Sequence, residues 1–235
     1  MKINIALPCY NEEKIIEENV LRLYNFCQQN IKDDWIIVIA DNASEDKTSE
    51  IGKGLAKIYS QIKYLRLPEK GKGRAIRRSW LDFPANIYVF FDADLSTKID
   101  ILRPMIDILQ KEEFQGVIGS RYLPDSRVQR SASRLFVSRI YNLLVKTILG
   151  INLKDLACGA KAFNHQIIEM VLPDVLNNQW FFDSELVIRA FKKHFQIKEI
   201  PADWQEPQGR KSRTSFLKVS LEYLWEMIKL KFRGF

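Results

Sequence analysis

Five short runs rich in β-branched and aromatic residues, at positions 3–7, 35–40, 62–67, 87–91 and 116–120, alternate with stretches of helical periodicity at 13–29, 47–59, 74–81 and 101–111. No other feature restricts the fold so strongly. Strands separated by helices are joined by crossovers, and crossovers make neighbours run the same way. The alternation therefore predicts an α/β fold: a mostly parallel, twisted sheet flanked by helices. Ligands of such sheets bind beyond the carboxyl ends of the strands. Four polar clusters fall there, each directly after a strand: Pro8-Cys9-Tyr10-Asn11-Glu12-Glu13, Asp41-Asn42-Ala43-Ser44-Glu45-Asp46, Asp92-Ala93-Asp94 and Ser120-Arg121-Tyr122. Beyond Arg121 the alternation stops, and a helical segment at 133–149 leads into less regular sequence. In 235 residues without a repeat, low-complexity tract or linker, one domain covering 1–235 is expected.

The net charge of +7 suggests an anionic partner without saying which. Its distribution is more informative. Residues 1–120 hold 17 Lys and Arg against 18 Asp and Glu, and 162–208 hold 4 against 7, whereas 121–161 hold 8 against 2 and 209–235 hold 7 against 2. The whole excess lies in the last two segments named. Cys9, Cys27 and Cys158 are widely spaced, odd in number and without a metal-ligand pattern, which predicts free thiols in a reducing compartment. Residues 3–7 open a strand without the longer apolar core of a signal peptide, and no run approaches the roughly 18 apolar residues that span a bilayer. Membrane contact, if made, is expected to be peripheral and on the cytoplasmic face.

The strongest local signal is Asp92-Ala93-Asp94. Two carboxylates separated by one small residue at a strand end can reach one hard divalent cation, Mg2+ or Mn2+, which takes diphosphate oxygens in its remaining positions. The same pair can instead cap the helix near Asp100 or sit solvated in a loop. Tyr10, flanked by Pro8, Asn11 and Glu12, offers an aromatic floor for a nucleobase, although Asn11 also suits a helix cap and the glutamates a first turn. Asp41 suits a ribose hydroxyl or a base N–H, while Asp46 and Thr48 read as turn and cap residues. Lys70-Gly71-Lys72-Gly73-Arg74 opens a helix with two glycines and three cations. Such a segment would face phosphate through backbone N–H groups and side chains, Lys72 among them. It lacks the phosphate-loop pattern of ATPases.

Taken together, Pro8-x-Tyr10-Asn11-Glu12, Asp41-Asn42-x-Ser44-x-Asp46-x-Thr48, Lys70-Gly71-x-Gly73-x-Ala75, Asp92-x-Asp94, Gly119-Ser120-Arg121-Tyr122, Asp155-x-x-Cys158-Gly159-x-Lys161-x-Phe163 and Trp180-x-Phe182-Asp183-x-Glu185-Leu186 resemble the family-2 glycosyltransferases of GT-A fold. The likeness is greatest to the dolichyl-phosphate glucose and mannose synthases, and it covers nearly the whole chain. It implies inverting transfer of a hexose from UDP-glucose or GDP-mannose to a polyprenyl phosphate. Residues 1–120 would form the nucleotide-sugar half and 121–235 the acceptor and membrane-facing half. By the same resemblance Pro8, Tyr10, Glu12 and Asp41 would hold the nucleoside, and Asp92 and Asp94 the metal and diphosphate with Ala93 beside them. Arg121, Arg134 and Ser138 would receive the lipid phosphate, and Arg210 or Arg213 would close over the site. Two positions depart from the pattern: Asn42 stands where Asp is common, and Ser96 where mannose synthases often carry Gln.

On a helix Arg134 and Ser138 share a face that Arg121, at its strand end, can approach, which makes a charge-assisted phosphate site out of what could otherwise be solvated cations. A phosphate acceptor arrives already anionic, so no general base is needed. His165 and His194 sit in helical contexts without metal-ligand spacing and read as structural. Asp183 and Glu185 either orient the sugar or the acceptor loop, or simply start the helix that runs to Lys193. The stretch 216–232 sets Lys218, Glu222, Glu226, Lys229 and Arg233 in a polar stripe against Leu221, Leu224, Trp225, Ile228 and Phe232. Like 133–149, it is a basic amphipathic helix suited to a membrane interface, to packing on the sheet, or to a second subunit of a homodimer. Two other functions fit parts of the pattern: a soluble family-2 transferase using Asp183 or Glu185 as base on a saccharide hydroxyl, and a basic nucleic-acid module, for which no recognised motif is present.

Overall fold

The structure, a computed structural model, describes residues 1–129, 146–206 and 216–234, with side chains from 222 onward in the last segment. Arg134, Ser138, Arg210, Arg213 and most of the segment 133–149 lie outside the described residues; 146–149 are helical. The predicted alternation is present as β1 (Lys2–Cys9), α1 (Ile16–Asn30), β2 (Asp34–Asn42), α2 (Thr48–Ile58), β3 (Ile62–Leu67), α3 (Lys72–Asp82), β4 (Ile87–Phe91), α4 (Leu102–Gln110) and β5 (Gly116–Ser120). The chain continues through β6 (Val128–Gln129), β7 (Ala160–Asn164), α5 (His165–Met170), α6 (Phe182–Lys192), β8 (Ile197–Pro201), β9 (Trp204–Gln205) and α7 (Phe216–Arg233).

The main sheet runs β3-β2-β1-β4-β7-β5-β8, and β6 pairs with β9 apart from it. Every pairing in the main sheet is parallel except those of β7, which runs antiparallel to both β4 and β5. The α/β, mostly parallel GT-A architecture is therefore met, with one reversal. Nothing in Ala160-Lys161-Ala162-Phe163-Asn164 announces a strand, since it has no β-branched residue and a central lysine that proves fully buried.

Helices cover both faces of the sheet. Ile5, Leu7, Val20, Leu23 and Met105 close one core under α1 and α4, and Phe90, Trp80, Phe163, Leu186 and Met227 close the other under α3, α6 and α7. Burying each such side chain contributes about 1.5–3 kcal/mol. Trp80 lies 6.4 Å from Phe90, 5.9 Å from Phe163 and 6.2 Å from Phe182 between ring centroids, which seats α3 and α6 against β4 and β7. Asn4, buried within β1, donates through Nδ2 to the carbonyls of Ser79 (2.9 Å) and Phe83 (2.8 Å), tying β1 to the end of α3, where the Ser79 carbonyl also accepts the Phe83 amide at 3.3 Å. In α7, Tyr223, Met227 and Leu230 are buried in the second core, while Trp225 and Phe232 are 59% and 86% exposed. One face of that helix thus packs on the protein. His194 is not helical: it comes after α6 with φ 65°.

Candidate active site

The parallel strands bring the ends of β1, β2, β4 and β5 to one edge of the sheet. Because β7 runs backwards, Ala160 pairs with Phe91, and Cys158 and Gly159 arrive at that same edge. The first two loops are knitted together there. Asn11 receives the amide of Glu45 on Oδ1 (2.7 Å) and donates its own amide to Ser44 Oγ (2.9 Å), and Glu12 N–H reaches Thr48 Oγ1 (2.7 Å). Asn11 takes φ 55°, a conformation asparagine tolerates. Asn11 and Thr48 are thus loop builders. Pro8, Tyr10 and Glu12 stay half-buried at the rim, and Lys70 Nζ sits 2.5 Å from the Tyr10 hydroxyl and 2.9 Å from Glu45. Asp41 is fully buried: Oδ1 accepts from Ser44 N–H (2.8 Å), and Oδ2 from Tyr64 Oη (2.6 Å) and Arg66 (3.0 Å). A carboxylate offers about four acceptor positions, of which three are filled, and with the side chain 0% exposed a ligand reaches the fourth only if the loop shifts.

The Lys70–Arg74 segment differs from expectation. The amides of Gly71, Gly73 and Arg74 donate to Asn42 Oδ1 (2.5 Å) and to the carbonyls of Gln179 (3.1 Å) and Asn178 (3.0 Å), so these three are engaged within the protein rather than facing phosphate. Asn42, the departure from the family pattern, has a structural task here. Gly73 is needed because a Cβ there would stand 2.3 Å from Phe182 Cβ. What faces the strand ends is the side chain of Lys72. Its Nζ lies 2.6 Å from Asp92 Oδ1 and 5.2 Å from the ring centroids of both Phe90 and Trp180. Burial works against its charge, but Asp92, Asp183 and Asp94 outweigh burial and hold the ammonium above the ordinary lysine range.

Asp92 and Asp94 are both half-buried, and the loop between them is fixed. The Asp92 amide donates to Gly159 O (3.0 Å), Asp94 Oδ1 accepts from Ser96 N–H (3.0 Å), and Ala93 O accepts from Asn19 Nδ2 (2.9 Å). Neither carboxylate caps the next helical element: the 3-10 turn Ile99–Ile101 and α4 both start without a side-chain cap. Among the described residues no group of three or more His, Cys, Asp or Glu side chains is placed to hold a metal. A two-carboxylate, all-oxygen donor set fits a hard divalent cation that completes its shell with diphosphate and water, the usual habit of Mg2+.

Arg121 reaches the site edge as expected, but its guanidinium is already held. Its backbone N, Nε and Nη2 donate to Asp155 at 2.9, 2.7 and 2.8 Å, with the two side chains 7% and 1% exposed. Glu199 in turn accepts the amide of Asp155 at 2.9 Å. Asp183 pairs with Lys161, which also donates to Cys158 O (2.8 Å), both inside the protein. Glu185 accepts from Arg189 Nε (2.8 Å) and from the amides of Leu176 (3.2 Å) and Asn177 (2.8 Å), so it anchors the 176–181 loop. Sequence reasoning missed Trp180 as a wall for Lys72, Asp155 as the partner of Arg121, and Gly159. All three stand in the family-like motifs, yet no spacing rule assigns them these contacts.

The sequence model of glycosyl transferase family 2 matches residues 4–172. Glycosyltransferase AglD of Haloferax volcanii is 32% identical over 211 residues, covering 89% of this chain but 34% of that protein, so the chain spans about a third of that relative's length. Dolichyl-phosphate beta-glucosyltransferase ALG5A of Trichomonas vaginalis is 31% identical over 223 residues, covering 91% of this chain and 68% of that protein. Glucosyl-3-phosphoglycerate synthase from Mycobacterium tuberculosis, solved in complex with Mn2+ and UDP-glucose, shares the fold at a TM-score of 0.67 and 20% identity, over 97% of this chain and 79% of that one. By the extent of these matches, the chain belongs to glycosyl transferase family 2.

Proposed function

We propose that the protein transfers glucose from UDP-glucose to a polyprenyl phosphate, with inversion at the anomeric carbon, at the cytoplasmic surface of a membrane. The observation that carries this reading is the grouping of Asp92, Asp94 and Lys72 at the end of β4, in a chain related to a dolichyl-phosphate beta-glucosyltransferase. The Mn2+ and UDP-glucose bound by the mycobacterial neighbour support the same donor and a divalent cation. In this reading residues 1–120 hold the donor and 121–235 the acceptor. Tyr10, Pro8 and Glu12 seat the base, and Asp41, buried under Ser44, Tyr64 and Arg66, takes a ribose hydroxyl or base N–H only after a shift of that loop. Asp92 and Asp94 hold Mg2+ or Mn2+, which when bound offsets charge on the departing diphosphate. Lys72 adds positive charge beside it, where exclusion of water strengthens the attraction.

An ionised phosphate attacking opposite the diphosphate needs no base, and inversion results from that geometry. Arg134 and Ser138 receive it and Arg210 or Arg213 covers the site, while Arg121, 7% exposed and neutralised by Asp155, fixes the strand-end loop rather than contacting the phosphate. The engagement of Asp183 by Lys161 and of Glu185 by Arg189 counts against transfer to a saccharide hydroxyl, which would need a carboxylate ready to accept a proton. On α7, exposed Trp225 and Phe232 stand near a last turn that carries Lys231 and Arg233, a combination suited to a lipid interface, while Lys229 is paired with Glu226. Among the described residues no helix is long and apolar enough to cross a membrane. A panel of nucleotide sugars with a short polyprenyl phosphate and Mg2+ or Mn2+ tests the reading. Product extractable into organic solvent is expected from UDP-glucose; transfer to a soluble saccharide alone would overturn it.

A further inference from the structure

Lys72 and a divalent cation make competing claims on one carboxylate. The ammonium stands at hydrogen-bond distance from Asp92 Oδ1, with its side chain only 11% exposed. Asp92 has little room to turn away, because its amide is bonded to Gly159 O and its Oδ2 lies where a Cβ on residue 159 would stand, 2.0 Å off. Two cations on one carboxylate repel each other, and with Lys72 11% exposed its own charge is screened only on the side where Asp92, 38% exposed, meets water. A nucleoside diphosphate changes the balance, since its oxygens offer the ammonium another partner and bring the cation further ligands. The backbone around Lys72 is pinned through Gly71, Gly73 and Arg74, so its side chain alone has to swing.

We propose that Lys72 is a latch on Asp92 that makes the divalent cation and the nucleoside diphosphate bind as one unit. The inference rests on the reading of Asp92 and Asp94 as metal ligands. With the latch engaged, the cation alone meets one effective carboxylate, Asp94, and binds weakly. The diphosphate draws Lys72 off, Asp92 becomes a full ligand, and cation affinity rises. By reciprocity the cation strengthens diphosphate binding by the same factor. The site then rejects a bare metal ion and admits the metal–nucleotide complex.

The test is Mn2+ binding to the whole chain, monitored by the paramagnetic resonance of free Mn2+, with and without UDP. In the unsubstituted protein UDP should tighten Mn2+ binding. Lys72→Met should bind Mn2+ alone about tenfold more tightly or better and lose most of the UDP effect, a coupling of ordinary size. Lys72→Arg, which keeps the charge, should show no such gain. Lys70→Met removes a cation from the same loop without touching Asp92, and should shift Mn2+ affinity by no more than about twofold, since exposed charges are screened. No gain in Lys72→Met, or an equal gain in Lys70→Met, overturns the latch while leaving the metal site standing. If Asp94→Asn binds Mn2+ in the presence of UDP as well as the unsubstituted protein does, the metal reading itself fails, and the latch with it.

Discussion

Asp92 and Gly159, 67 positions apart, meet at van der Waals limits: the amide of one donates to the carbonyl of the other at 3.0 Å, and a Cβ on Gly159 would stand 2.0 Å from Asp92 Oδ2. Gly159→Ala must therefore push the Asp92 carboxylate out of place. A displacement near 1 Å at a reacting site costs about 100-fold in rate. Steady-state kinetics at saturating donor should show that loss with the circular dichroism spectrum unchanged. Normal turnover would mean that Asp92 does not need this position.

Asp94→Asn keeps the shape of the loop and removes one of the two charges at the cation position. Most transfer activity should vanish while the melting temperature stays put. Turnover near that of the unsubstituted protein at saturating Mn2+ would defeat the assignment of Asp94 to the metal.

Lys161 and Asp183 are 0% and 4% exposed at the side chain, so removing one strands the other in the interior. Lys161→Met should cost about 3–5 kcal/mol of folding free energy, the usual penalty for an uncompensated buried charge. The double variant Lys161→Met with Asp183→Leu should recover much of that. Urea unfolding measures both, and a single variant as stable as the parent would show that the pair carries little.

The two faces of α7 can be separated by substitution. Met227→Ala, in the core, should lower stability by about 2–5 kcal/mol. Trp225→Glu with Phe232→Glu should leave thermal melting unaltered and reduce cosedimentation with anionic liposomes. Undiminished liposome binding in the second variant would remove α7 as the lipid-facing element.

Burial pushes the Cys27 thiol from 9.0 up to about 12. Between those values the unfolded chain releases a proton that the folded chain keeps, so rising pH favours unfolding, by about 1.4 kcal/mol per pH unit from this group. Below that window the contribution is fully present. Burial also lifts Cys9 and Cys158 in the same direction. Cys27→Ala should flatten the decline of urea midpoints across the alkaline window. An identical slope would show that Cys27 is not the titrating group.

The five early strands and the position of Asp92 and Asp94 were legible because each depends on local pattern: β-branched runs, helical periodicity, and a polar break after an apolar strand. β7 was not, since Lys161 in a buried strand makes sense only once Asp183 from a distant helix is beside it. The loop at Lys70–Arg74 shows the same limit. Glycines and cations at a helix start suggested phosphate, yet the partners of its amides, Asn42, Asn178 and Gln179, are chosen by tertiary packing. Arg121 was placed correctly at a strand end, but the bidentate hold of Asp155 on it lies 34 residues away and leaves no local trace.

The reversed strand β7 also orders events during synthesis. Its seat lies between β4 and β5, so β5 has no partner in β4 when it leaves the ribosome, and β4 waits as a bare edge with unpaired N–H and C=O groups. The gap between β4 and β5 closes only when residues 160–164 emerge, and that insertion delivers Gly159 to Asp92 and takes Lys161 inside before its partner Asp183 has been made. A nascent chain stalled after β5 would thus hold the loops after β1 and β2 but neither the partner of the Asp92 amide nor those of Gly73 and Arg74, and would expose a sticky strand until translation resumed.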